Sequence, residues 1–254
     1  MAEKKKKVKK ILISLSKPEG KSPYASLEKK HKVKIHFRPF MHVAEITAME
    51  FKEQRISILN HDSVIFTSKN AMDHYFGMME KLRLKVPDFM KYFCVSEAIA
   101  HYLQNFITYR KRKVFTGEQT LASLIPVMQK HKESKFIFPC SDLLKKAKNV
   151  SLEESGLDYT KAQMYKVDCS DLSDLSDVKY DILVFFSPTG VKSLLQNFPN
   201  FKQEETRIAV FGPTTIKSVE DNGLRVDISA PNKKSPSMLM ALDQYIKEAN
   251  KRRR

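Results

Sequence analysis

The chain is poor in the residues that most reactive centres need. Three cysteines occur in 254 residues, at Cys94, Cys140 and Cys169. Their spacing matches no CxxC metal or redox pair, and they read as buried or idle thiols in a reducing compartment. His31, His36, His42, His61, His74, His101 and His131 are scattered, and none stands at metal-ligand spacing from Cys or Glu, so metal catalysis has no support. There is no Walker loop and no GxGxxG. No apolar run approaches the roughly 18 to 20 residues that span a bilayer. The start, MAEKKKKVKKILISLSK, is basic like a signal peptide, but its apolar stretch ILISL is five residues long, where a secretory segment needs about 7 to 15. A cytoplasmic protein with no membrane partner is expected.

What the chain does have is positive charge, +16 from 45 basic and 29 acidic residues. Such a surplus draws anions: nucleic acid, acidic membranes or polycarboxylates. Ten of the charges sit at the ends, in Lys4–Lys7, Lys9, Lys10 and Lys251–Arg254, leaving about +6 for the body. The ends, 1–7 and 251–254, are expected to be solvated tails. The sequence contains no helix-turn-helix, RRM or zinc motif, so nucleic acid is not the expected partner.

Apolar residues make up 42% of the chain, enough for a substantial core. Short apolar runs read as buried strands: 11–14, 33–37, 64–67, 92–95, 113–115, 136–139, 159–167, 181–186, 207–211 and 225–228. Amphipathic helical stretches such as NAMDHYFGMMEKLR and SMLMALDQYIKEANK lie between most of them. Alternation of this kind predicts α/β architecture with parallel sheets covered by helices. Ten strands suit two sheets of five. The chain also repeats itself: IFTSKNAMDHYF (65–76) matches VFFSPTGVKSLL (184–195), and FCVSEAIAHYL (93–103) matches AVFGPTTIKSV (209–219). SLEKKHKVKIHFRPF (26–40) likewise matches SLEESGLDYTKAQMY (151–165). An ordered strand–Ser–helix repeat points to two similar lobes, with the function expected between them.

The turns SKP (16–18), FTSKNAM (66–72), MYKV (164–167), FFSPTGV (185–191) and FGPTT (211–215) stand in an order that resembles the uroporphyrinogen-III synthase family. The resemblance runs from about Ile11 to Ile246. It implies two flavodoxin-like lobes with parallel five-stranded sheets, joined by a two-stranded hinge. Lobe one would be 8–38 plus 168–250, and lobe two, inserted, 41–163. It further implies a lyase of tetrapyrrole, porphyrin and heme biosynthesis, acting as a monomer without cofactors. Its substrate is hydroxymethylbilane, a linear polycarboxylate tetrapyrrole passed on from hydroxymethylbilane synthase. The reaction closes the ring, inverts the last pyrrole and releases water. Tyr165 corresponds to the family's crossover tyrosine, and its phenol is suited to donate to the departing hydroxyl. Lys17 stands where the family usually has Arg and can meet a carboxylate as a point charge.

Helices that start after strand C-termini present free N–H groups to anions. Around such turns the candidate substrate-binding residues are Ser16, Lys17, Thr67, Ser68, Asn70, Ser96, Ser141, Ser187, Thr189, Gly212, Thr214 and Thr215. Each hydroxyl among them is equally what an ordinary helix N-cap requires. The repeat carries Ser96-Glu97-Ala98 where a Gly-Pro-Thr-like turn belongs, and Pro139-Cys140-Ser141, expected as a turn, brings no basic residue. The alternative is therefore a catalytically reduced protein on the same fold that binds a tetrapyrrole or another polyanion.

Overall fold

Short apolar strands form here because both of their faces are covered. Ser63–Phe66 and Ile182–Phe185 are buried at every residue, as in parallel strands held between helices. The structure is a computed structural model and describes residues 6–146, 150–176 and 178–251. Most of the two basic ends, residues 1–5 and 252–254, lies outside the described residues.

The chain opens with β1 (Lys10–Ile13), α1 (Ala25–His31), β2 (Lys34–Phe37) and β3 (Met41–Glu45). There follow α2 (Ala48–Glu53), β4 (Ser63–Phe66), α3 (Lys69–Lys81), β5 (Lys91–Cys94), α4 (Glu97–Tyr102) and β6 (Val114–Thr116). Next come α5 (Leu121–Gln129), β7 (Phe136–Ser141), α6 (Asp142–Lys146), α7 (Val150–Glu153) and β8 (Tyr159–Cys169). The last part holds β9 (Ile182–Phe185), α8 (Pro188–Asn197), β10 (Arg207–Phe211), α9 (Pro213–Asp221), β11 (Ile228–Ala230) and α10 (Met238–Ala249).

Two compact units result: Met1–His42 with Asp168–Arg254, and Val43–Val167. The first carries a five-stranded sheet in the order β11-β10-β9-β1-β2, parallel throughout. Its chain winds outward in both directions from the β1–β9 boundary. The second sheet runs β3-β8-β7-β4-β5-β6, with parallel pairing from β8 to β6. Here the winding reverses between β4 and β7. At such switch points a crevice opens outside the strand carboxyl ends.

Each sheet is packed on both faces. In the first unit α10 buries Met238, Ala241, Leu242 and Ile246, one face of a helix, against β1, β9 and β10. In the second, α3 buries Ala71, Met72, Tyr75, Phe76, Met78 and Met79 around Phe66. Each large apolar side chain so buried is worth about 1.5–3 kcal/mol.

Four local expectations are corrected. The second sheet has six strands, because β3 joins β8 at its edge; residues 41–45 are mostly exposed and carry no apolar alternation to announce a strand. Pro139, Cys140 and Ser141 are the buried end of β7 with an irregularity at Cys140/Ser141, and not a turn. The last strand lies at 228–230 and not at 225–228. Over the earlier stretch side chains replace the ladder: Gln203 Oε1 accepts the Arg225 N–H at 2.7 Å, and Asp227 Oδ2 accepts the Ile208 N–H at 2.9 Å. The expected tail 1–7 is held at Lys6, whose carbonyl accepts from the Arg207 guanidinium and whose ammonium pairs with Glu205, and the chain is anchored from Val8 on, where the first lobe was expected to begin. Val8 is 1% exposed, its N–H donates to Asn250 Oδ1 at 2.8 Å, and Asp181 Oδ2 accepts both the Lys9 and Lys10 N–H groups.

Candidate functional site

Each of the four strand-end turns around Thr67, Val95, Phe186 and Phe211 becomes a helix N-terminus. Ser68, Ser96 and Ser187 cap α3, α4 and α8 from nearly the same extended backbone, with φ of −156°, −154° and −152°. Their hydroxyl oxygens accept the N–H groups of Ala71 at 3.1 Å, Ile99 at 3.4 Å and Gly190 at 3.3 Å. Gly212 caps α9 differently, with φ +87° and no side-chain acceptor. A serine cap uses one of the free N–H groups of its helix, whereas a glycine cap leaves it open.

In the first unit the switch point is built tightly. The Ser14 N–H donates to Val184 O at 3.1 Å, stitching the end of β1 to β9. A Cβ added at Gly190 would come within 3.4 Å of the Phe185 ring and 3.6 Å of Ser14 Oγ, so α8 starts directly on both strand ends. Ser187 Oγ also lies 3.7 Å from Met41 Sδ. Ser16 and Lys17 follow in the exposed loop after β1. Thr189 is half-buried in the first turn of α8 and Thr214 exposed in that of α9. Thr215 is 1% exposed, and its Oγ1 has no hydrogen-bond partner.

The second unit assembles a different set. Thr67 is half-buried at the end of β4, Asn70 is exposed on the first turn of α3, and Ser141 Oγ accepts the Leu144 N–H at 3.2 Å as the cap of α6. Tyr165 on β8 is 9% exposed. Its ring stacks on His74 with centroids 4.9 Å apart and planes 24° from parallel. Burial pushes the phenol up and Ser68 draws it back without cancelling the rise. Tyr165 therefore holds its proton at neutral pH. Burial lowers His74, against the pull of Glu45 and Asp73, so its ring is neutral there. Beside Tyr165, Lys166 Nζ reaches Glu50 Oε1 at 2.5 Å, and with the Thr47 N–H and hydroxyl it holds Glu50 at about 2.

Of the expected residues, Ser68 lies near enough to Tyr165 to pull its phenol down, while Ser96 and Ser141 cap helices of their own. His74 is a participant that sequence reading missed, since its partner lies on a distant strand. Positive charge near Cys140 comes from Lys145 on α6 and Lys161 on β8, not from the segment itself. Burial raises Cys140 to about 11 and Cys94 to about 12, which leaves both as unreactive thiols. A recess of about 480 Å³ lies elsewhere in the first unit, lined by Leu12, Phe40, Tyr180, Leu183 and Phe198 among others. Tyr180 and Thr206, which also line it, precede β9 and β10, so it opens at the strand starts, away from the capping turns.

Comparison with known proteins bears on the family and the fold. The model of the family described as uroporphyrinogen-III synthase HemD matches residues 22–240. Uroporphyrinogen-III synthase of Saccharomyces cerevisiae is 33% identical over 75 residues, 28% of this chain and 27% of that protein. The matched stretch thus spans about a quarter of that relative's length. The crystal structure of uroporphyrinogen-III synthetase from Helicobacter pylori 26695 aligns at a TM-score of 0.57 and 19% identity, over 94% of this chain and 99% of that one. A mutant uroporphyrinogen III synthase from Thermus thermophilus gives 0.49 and 14% over 95% and 98%. The Helicobacter structure supports the α/β fold with mainly parallel sheets. The family model spans every capping turn from Ser68 to Thr215 together with Tyr165, and the chain belongs to the uroporphyrinogen-III synthase family.

Proposed function

We propose that the chain closes hydroxymethylbilane into uroporphyrinogen III as a lyase of tetrapyrrole biosynthesis. The observation that carries this reading is Tyr165. It lies within the family match, keeps its proton because it is buried, and adjoins the N-terminus of α3. In the reaction the terminal C–OH bond breaks and the hydroxyl leaves as water, carrying the Tyr165 proton. The electron-deficient carbon is attacked by the last pyrrole, which inverts through a spiro intermediate. The proton released as the product regains aromaticity restores the phenol, directly or through solvent.

Carboxylates of the substrate are taken by the open N–H groups at the starts of α3, α8 and α9, with Ser16, Thr67, Asn70, Thr189 and Thr214 as added donors and Lys17 as a charge. Ser187, Gly212 and Thr215 shape the turns at the starts of α8 and α9, and Ser96 and Ser141 those at the starts of α4 and α6. Holding both ends of a floppy chain is itself a large part of the catalysis. β3 and β8 carry the chain between the units and are the proposed hinge. The substrate comes from hydroxymethylbilane synthase, and the chain acts as a monomer.

The test is product analysis. Purified protein is mixed with enzymatically generated hydroxymethylbilane and the isomers are resolved. Isomer III is expected in excess; only the spontaneous isomer I would overturn the reading. Tyr165→Phe is expected to lower kcat on the order of 10²-fold.

A further inference from the structure

The recess at the strand starts of the first unit is built like a binding site, and we propose that it takes a hydrophobic monocarboxylate, an acyl chain with one anionic end. It measures about 480 Å³, within the range of small-molecule pockets. Its floor is apolar: Phe40, Leu183 and Leu194 are 1%, 6% and 3% exposed. Leu175, Phe198 and Phe201 stand half-buried around them. Tyr180 and Thr206 on the lining precede β9 and β10, so an occupant sits at the far ends of those strands from the Ser187 and Gly212 turns.

The polar side chains of the interior already have partners. Asn197 Oδ1 accepts the Leu172 N–H at 2.9 Å, and its amide donates to Ser170 O and Ser193 O, both at 2.9 Å. The Tyr180 hydroxyl lies 3.0 Å from His36 Nδ1, and Thr206 Oγ1 donates to Tyr180 O at 3.3 Å. The body of an occupant therefore meets apolar walls and committed polar groups, which suits an alkyl chain. Charge selects the other end. Among the described residues the lining has two charged side chains, Lys179 and Lys202, both exposed, and no acidic one. Neither ammonium is paired with a carboxylate among the described residues. The C-terminal end of α8, negative by its dipole, brings Leu194 and Phe198 to the wall. The anionic end thus belongs at the mouth with the lysines and not on the floor. Two cations suit one carboxylate; a polycarboxylate such as hydroxymethylbilane would set most of its charge against apolar walls.

The chain has no tryptophan, so Phe201→Trp, an aromatic exchange on the lining, gives a single reporter whose emission follows a titration with decanoate. Saturable binding is expected, with the same affinity by calorimetry on the unaltered chain. Octanoate, shorter by two methylenes, is expected to bind about tenfold more weakly, and decyltrimethylammonium not to bind. Replacing both exposed lysines, Lys179→Ala with Lys202→Ala, is expected to weaken decanoate about threefold to tenfold. No saturable binding below about 1 mM by either method overturns the site. So does equal binding of the ammonium, binding by calorimetry that leaves the Trp emission unmoved, or an affinity unchanged in the double lysine variant.

Discussion

The turns after β5 and β10 hold the same place in the internal repeat, yet they treat an anion in opposite ways. After β5, Ser96 takes up the Ile99 N–H, Glu97 adds a negative charge to the first turn, and α4 is six residues long. After β10, Gly212 withholds any side chain, Pro213 sets the first helical residue, and α9 runs for nine. No side chain caps the first turn of α9, and that turn holds no acidic residue. The backbone scaffold was repeated and the electrostatics were not. The second unit gives up an open helix start at this point and carries the phenol of Tyr165 instead, which the first unit has no counterpart for in the matching stretch Ser26–Phe40.

The largest test concerns whether the two units stand as separate cores. Phe66 in the second and Phe185 in the first are both 0% exposed. Phe66→Ala and Phe185→Ala are each expected to cost about 3–5 kcal/mol. Hydrogen exchange should rise mainly within Val43–Val167 for the first variant and mainly outside it for the second. A uniform rise in both would break the division. Next in size is the turn exchange. Writing Ser-Glu-Ala at 212–214 forces a side chain into φ +87°, ψ 151°, a region nearly reserved for glycine at a cost of roughly 1–3 kcal/mol, and adds a carboxylate. KM for hydroxymethylbilane is expected to rise about tenfold or more. Writing Gly-Pro-Thr at 96–98 removes Glu97 and should lower KM by about twofold to fivefold. Equal and opposite effects would show the two turns to be equivalent after all.

What could be read from the sequence is what is local. Ser68, Ser96 and Ser187 each accept from the residue three positions on, so the cap is written inside four residues. Strands buried on both faces announce themselves as short apolar runs, as 182–185 does. β3 could not be seen because its residues are mostly exposed and its strand character comes from its neighbour β8. Asp227 and Gln203 displaced the last strand by side-chain hydrogen bonds that no hydropathy pattern records. The candidate site divides the same way. Tyr165 and the caps were legible; His74, stacked across from α3 to β8, and the Lys166–Glu50 pair were not, because each joins distant segments.

A smaller effect distinguishes the two serine caps at the switch points. Ser187→Ala removes only the acceptor of the Gly190 N–H and a 3.7 Å contact to Met41, and should cost about 1 kcal/mol, with Ser187→Gly costing only a few tenths. Thermal unfolding measures both. If Ser187→Ala lowered kcat as strongly as Tyr165→Phe, the assignment of proton chemistry to the second unit alone would fail.

The smallest effect separates the units by pH. Glu50 is held at about 2, chiefly by the hydrogen bond from Lys166, then by the Thr47 N–H and hydroxyl. In the first unit Asp243 is lowered by hydrogen bonds from Lys30 and His31. A carboxylate whose folded pKa is depressed stabilises the fold above its ordinary pKa, and that stabilisation is lost as pH falls through the folded value. For Glu50 the window runs from about 4.5 down to about 2. Glu50→Gln keeps the reach of the capping box at Thr47 while removing the charge. The advantage of the wild type over Glu50→Gln in thermal midpoint should therefore be complete above about pH 5 and gone near pH 2. Because both partners are more than a third exposed, raising the salt concentration should shrink it at every pH. Hydrogen exchange would place the loss in the second unit for Glu50→Gln and in the first for Asp243→Asn; a difference that persisted below pH 2 would show that Glu50 acts through packing and not through charge.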